Sequence, residues 1–247
     1  MFLALDIGNS NVVCAVCDSK KWIHSIRIYS NRDFWNKFKT LKEYDITHAA
    51  ISSVVPKLTS VYVKSIRNIF HIDAFIINHE NSGVELNVEV PEEVGADRIC
   101  NTAAAIKLAS CPAIIGDIGS ATNYDVLDEK GVFIGGAIAP GLETAALNLF
   151  KKAALLKETA FTLPARAIGK DTTTNLQSGI MLGAIDVIDG MFNRIKTETG
   201  WDKIHNIITG GFGEMISPHL KTTHKLITNL TLDGIRIIYT KSSKFSD

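Results

Sequence analysis

Nowhere in the chain do about 18 apolar residues run consecutively, the length that a membrane-spanning helix needs, so no membrane partner is expected. Net charge is missing too, because 26 Lys and Arg balance 26 Asp and Glu. Without a global field the sequence predicts no nucleic-acid partner, and a small charged substrate has to be held by local groups. Cysteine is sparse, with four residues: Cys14, Cys17, Cys100 and Cys111. Cys14 and Cys17 have Cys-x-x-Cys spacing but lie in an alternating strand pattern, where residues three apart face opposite sides. That argues against a shared metal or a disulfide, and all four are expected as reduced thiols. A basic leader is lacking and Asp6 interrupts the first apolar stretch, so a soluble, cytoplasmic protein is expected. Low-complexity linkers are lacking as well, which predicts tightly joined lobes. What is plentiful is apolar sequence, 46% of the 247 residues, enough for one large domain or two of ordinary size.

That apolar sequence is organised as a repeat. Asp6-Ile7-Gly8-Asn9-Ser10-Asn11 opens the chain and Asp117-Ile118-Gly119-Ser120-Ala121-Thr122 recurs in the second half. Each follows a short apolar run and precedes another, the layout of a strand, polar turn, strand unit. Gly lets such a turn bend sharply, and its exposed N–H groups form a concavity suited to phosphate oxygens. Two such turns facing each other would hold a polyphosphate between two lobes.

Around the first turn, strands are expected near residues 2 to 6, 12 to 17 and 22 to 28. Next come a helix over Asp33 to Leu41, a strand over His48 to Ser53, a helix over Pro56 to Phe70 and a strand over Ala74 to Ile77. A helix from Arg98 to Leu108 leads into the second copy, with strands near 113 to 117, 122 to 128 and 132 to 138. A helix follows from near Gly141. Thr174 to Lys196 is the longest helical pattern, with Leu176, Ile180, Ala184, Val187, Ile188, Met191 and Ile195 on one face, predicted to pack at a lobe or subunit interface. A strand at Ile204 to Thr209 runs into Gly210-Gly211-Phe212-Gly213 with a helix starting near Glu214, and Ile235 to Tyr239 reads as a last strand.

Two glycine motifs fail on inspection. A dinucleotide fingerprint would need glycine at Ile216, and a Walker loop ending at Lys170 would need one at Pro164. The 210 to 213 turn is open between backbone approach to a nucleoside and a tight turn alone. Asp97, at the start of a helix, either caps it or accepts a proton from a substrate hydroxyl, with Arg98 pairing with a substrate carboxylate through its planar fork. Asp6 and Asp117 either bond their own turns or hold a cation beside phosphates, a task that suits magnesium.

Together these blocks resemble type III pantothenate kinases, a branch of the acetate kinase, sugar kinase, Hsp70 and actin superfamily. The likeness is carried by Asp6 to Asn11, by Glu93-Val94-Gly95-Ala96-Asp97-Arg98 and by Asp117 to Thr122. It continues through Gly135 to Gly141, Ile168 to Thr172, Gln177-Ser178-Gly179 and Thr209-Gly210-Gly211, all in family order. The resemblance implies an α/β fold of two duplicated actin-like, ribonuclease H-like lobes, residues 1–95 and 96–247, the second with a dimerisation helix. ATP would sit in a cleft between them, and a homodimer would phosphorylate the terminal hydroxyl of pantothenate. It further implies that Asp6, Ile7, Gly8, Asn9, Ser10, Asn11, Val12, Val13 and Ser120 bind ATP. Asp6 would lie near Mg2+, and Asp117 would bind a monovalent cation, K+ or NH4+. Gly95, Ala96, Asp97, Arg98 and Thr172 would bind pantothenate, with Asp97 as proton acceptor. Ser10 and Ser120 stand where the family more often has threonine, and Val88 and Val90 where it often has tyrosine and asparagine. The alternatives are a kinase of the same fold for another hydroxyl compound, a non-catalytic ATP-binding regulator and an actin-like assembly protein.

Overall fold

In the computed structural model, residues 1–29 and 34–242 are described. The chain divides into two compact units, one of Met1–Ala109 with the segment from Asn229 onward, the other of Ser110–Thr228.

The first unit opens with an antiparallel meander of β1 (Phe2–Ile7), β2 (Val12–Asp18) and β3 (Lys21–Ile28). After α1 (Phe34–Thr40), strand β4 (His48–Ser53) pairs parallel to β1; the expected helix start at Asp33 lies outside the described residues. Helix α2 (Pro56–Phe70) then crosses over to β5 (Ala74–Ile76), parallel to β4. Pro56 sits in the first turn of α2, where its missing N–H costs nothing.

The second unit repeats this sheet strand for strand. Strands β6 (Ala113–Ile118), β7 (Ala121–Leu127) and β8 (Phe133–Pro140) form the meander. Strand β9 (His205–Thr209) pairs parallel to β6, and β10 (Lys225–Leu226) parallel to β9. The sheet orders β3-β2-β1-β4-β5 and β8-β7-β6-β9-β10 therefore correspond. The repeated turns belong to equivalent positions of two equivalent sheets.

Period-2 alternation gives the first sheet two different faces. One buries Leu3, Leu5, Ile7, Val12, Cys14, Val16 and Ile51 with Phe38, Tyr62 and Ile66 from the helices. The other presents small residues, Ala4, Ala15 and Ala50, to α3 (Ala96–Leu108) and α8 (Leu230–Lys241). Small residues let these helices lie close to the sheet. In the second unit α4 (Leu142–Lys152), α5 (Thr172–Gln177) and α6 (Gly183–Thr199) accompany the sheet, and α7 (Gly213–Ile216) is a single turn after β9.

Three expectations are corrected. Ile235 to Tyr239 is part of helix α8, not a strand: read over Leu230 to Lys241, Leu232, Ile235 and Ile238 fall on one helical face and are buried against α3. Gly234 makes that packing possible, since a Cβ there would run into the Cys100 carbonyl. Consequently α3 and α8 join the first unit, where the boundary at 95/96 had assigned them to the second. The long helix expected from Thr174 is present as one helical run, with a π turn at Ser178–Leu182 between α5 and α6. That turn rotates the buried stripe to Met181, Ile185, Ile188 and Phe192, leaving Leu176, Ile180, Ala184 and Val187 beside an apolar cavity.

Candidate functional site

In the first unit, half-buried Asp6 lies near the end of β1, opposite Ser52 in the parallel pairing with β4. The Ser52 hydroxyl donates to Asp6 Oδ1 at 3.3 Å. The chain then turns through Gly8 to Asn11, closed by a bond from the Gly8 N–H to the Asn11 carbonyl at 3.1 Å. Ile7 and Val12 pair across the hairpin and are buried, so they anchor the turn from below while Asn9 and Ser10 stay exposed. Val13, the second residue of the return strand, pairs with Asp6.

The second turn keeps this design. The Gly119 N–H donates to the Ala121 carbonyl at 2.9 Å, and the loop is one residue shorter because Ile118 pairs with Thr122. The Ser120 carbonyl accepts from the Gly141 N–H at 3.2 Å and from the Thr144 hydroxyl at 2.7 Å. A Cβ on Gly141 would strike the Gly119 and Ser120 backbone, so the glycine block after β8 seats directly on this turn. Gly210 does the same from the other side: its φ is +91°, and a Cβ there would meet Asp117 Oδ1 and lie 2.6 Å from the Ile118 backbone. The Gly210 to Gly213 segment thus closes over Asp117, and the Phe212 N–H donates to the Ile118 carbonyl at 2.9 Å.

Asp97 departs from the capping expectation. The N-cap of α3 is Gly95, and Asp97 sits in the first turn with Oδ1 accepting from the Arg98 N–H at 2.8 Å. Oδ1 lies over Gly95, 2.5 Å from where a Cβ would stand, so the glycine leaves room for the carboxylate. Burial pushes the Asp97 carboxyl above its ordinary value, while the Arg98 backbone N–H and positive charge pull it back. A carboxylate raised this way is the better proton acceptor near neutral pH. Ala96 is buried and Arg98 half-buried at the same helix start.

Asp6 and Asp97 belong to one neighbourhood. The charges of both act on the Cys100 thiol, which burial pushes well above its ordinary range and which the neighbouring Ser52 hydroxyl pulls back. Ser52 carried no signal of this role in the sequence, since its place beside Asp6 arises from the non-local pairing of β1 with β4. Thr172 lies in the second unit, exposed at the start of α5, where Asp171 and Thr174 form a capping box. It borders an apolar cavity of about 840 Å³ that Leu142, Leu149, Leu176 and Val187 also line.

Among the described residues, no group of three or more His, Cys, Asp or Glu could hold a metal ion. Magnesium held by one or two carboxylates, with phosphate oxygens and water completing the shell, needs no such group. The Asp6 carboxylate beside the first turn fits that role. Asp117, flanked by backbone of the second turn and of Gly210, offers the hard oxygen donor suited to a monovalent cation.

The comparisons with known proteins agree with this layout. A family model described as type III pantothenate kinase matches residues 2–194. The chain belongs to the type III pantothenate kinase family. It is 36% identical to the type III pantothenate kinase of Thermomicrobium roseum, over 97% of this chain and 96% of that one. A crystal structure of a Campylobacter jejuni protein described as a Baf family transcriptional activator superposes with a TM-score of 0.64 at 18% identity, covering 98% of this chain and 100% of that one. Component A of the (R)-2-hydroxyglutaryl-CoA dehydratase of Acidaminococcus fermentans superposes at 0.55 with 14% identity, covering 98% and 99%. The fold is thus the duplicated actin-like α/β fold, and family members share it with proteins of other names. No helix among the described residues is long and apolar enough to cross a membrane.

Proposed function

We propose that this chain transfers the γ-phosphoryl group of ATP to the terminal hydroxyl of pantothenate, giving 4'-phosphopantothenate in the first step of coenzyme A biosynthesis. The observation that carries this reading is the near-full-length relationship to a family named for that activity. The raised carboxylate of Asp97, placed over a glycine at a helix start, is the group such a transfer needs.

Phosphoryl transfer passes through a loose transition state, so the protein contributes mainly positioning and charge neutralisation. Residues 6 to 13 and Ser120 hold ATP through backbone N–H groups and hydroxyls. Asp97 orients the acceptor hydroxyl and takes its proton. Arg98 pairs with the pantothenate carboxylate, with Gly95 and Ala96 lining that end and Thr172 contributing a hydroxyl. Mg2+ at Asp6 and K+ or NH4+ at Asp117, when bound, neutralise phosphate charge.

A cytoplasmic homodimer belongs to the same reading, with the helix from Thr172 onward at the dimerisation face. It is supported by Val187, 56% exposed on α6 beside the apolar cavity. The test is ADP release from purified protein with ATP and magnesium, with and without pantothenate, in potassium, ammonium and sodium buffers. Pantothenate-dependent release is the expected result, and a potassium or ammonium requirement supports Asp117. Equal release without pantothenate, or none in any buffer, overturns the assignment.

A further inference from the structure

Ser52 is wholly buried at the end of β4 and carries a polar group that a core position does not need. Parallel register puts it directly opposite Asp6. Its hydroxyl donates to Asp6 Oδ1 at 3.3 Å and lies beside the Cys100 thiol. Cys100 lies three residues after Asp97 on α3, on the helix face turned to the sheet, and is itself fully buried. A single hydroxyl therefore stands between the carboxylate of the first turn and the helix that carries the proton acceptor.

A hydroxyl has one proton to give, and here it is directed at a carboxylate oxygen. The Cys100 thiol lies beside the same hydroxyl from the α3 side. Bonds to a charged acceptor are stronger than neutral ones, and a buried site makes their loss costlier. We infer that Ser52 is a positioning residue for the kinase reaction: it fixes the rotamer of Asp6 that faces magnesium and nucleotide, and through Cys100 it ties that rotamer to the seating of α3. This rests on Asp6 being the carboxylate beside magnesium, as proposed above.

The experiment is calorimetric titration of ADP into the full chain, with magnesium and then with EDTA, for wild type, Ser52→Ala, Cys100→Ala, Asp6→Asn and Ser52→Ala/Asp6→Asn. Ser52→Ala is expected to weaken magnesium-dependent ADP binding roughly ten-fold and to leave binding in EDTA unchanged. Cys100→Ala should act in the same direction but more weakly. The double variant should bind no worse than Asp6→Asn alone, because Ser52 acts through Asp6. Steady-state kinetics should show the KM for ATP rising while the KM for pantothenate holds, a split that general loosening of the core would not produce. Equal weakening with magnesium and EDTA, or additive losses in the double variant, overturns the positioning role. If Asp6→Asn itself binds magnesium and ADP like wild type, the placement of magnesium at Asp6 fails, and the role of Ser52 falls with it.

Discussion

Gly95→Ala tests the geometry of the proton acceptor without touching its chemistry. The backbone of Gly95 has φ −56° and ψ 141°, open to alanine, so no conformational strain is introduced. The added Cβ would stand 2.5 Å from Asp97 Oδ1 and 3.3 Å from Val54 Cγ1. Carbon and oxygen do not approach that closely, so the carboxylate must retreat by about half an ångström or more, stretching its 2.8 Å bond from the Arg98 N–H. The end of an aspartate side chain moves cheaply, and an alanine N-cap is poorer than a glycine one, so the fold should lose no more than about 1 kcal/mol. The reaction is less tolerant: a misplacement near 1 Å costs on the order of 10²-fold, so half of that should cost roughly 10-fold or more in kcat. ADP release with saturating ATP and pantothenate, alongside a thermal melt, measures both. Wild-type kcat in a folded Gly95→Ala protein would refute the placement of Asp97 as the proton acceptor.

Other expectations follow from the same coordinates. Asp97→Asn should lower turnover on the order of 10²-fold while leaving ATP binding intact, as separate kinetic and binding measurements would reveal. Burial raises the Asp97 pKa in the folded state, so its neutral form is the one the fold favours. The stability it contributes is full below the ordinary carboxylate value and is lost as pH rises through the raised folded value. Asp97→Asn apoprotein should therefore be the more stable at neutral pH, with the difference shrinking in acid melts. Gly234→Ala forces a methyl onto the Cys100 carbonyl and should destabilise the first unit by roughly 1–3 kcal/mol in denaturant titrations. Val187→Glu, on a largely exposed position, should leave the melting temperature nearly unchanged yet shift sedimentation to the monomer if α6 lies at the dimerisation face.

Much of the fold was legible because local chemistry and tertiary outcome coincide. Pro56 opens α2 where a proline belongs, the apolar strands pair where their alternation directs, and both Asp-x-Gly turns close as the glycine pattern predicts. Within the site, the roles of Gly141 and Gly210 become specific only when the turns they seat against are seen.

What the sequence by itself determined is the repeat and the strand-turn-strand units it is built from. Each follows from residue type and short-range periodicity, which do not depend on the rest of the chain. Only tertiary structure decided that Ile235 to Tyr239 is helical, since a short isoleucine-rich run suits either period until α8 finds the groove that Gly234 opens against α3. It also decided that Gly95 rather than Asp97 stands at the N-cap of α3, with Asp97 Oδ1 accepting from the Arg98 N–H one residue on. The rotation of the α6 stripe by a π turn and the meeting of Ser52 with Asp6 belong to the same class. These depend on contacts between residues far apart in the chain, and no local pattern encodes where such residues will meet.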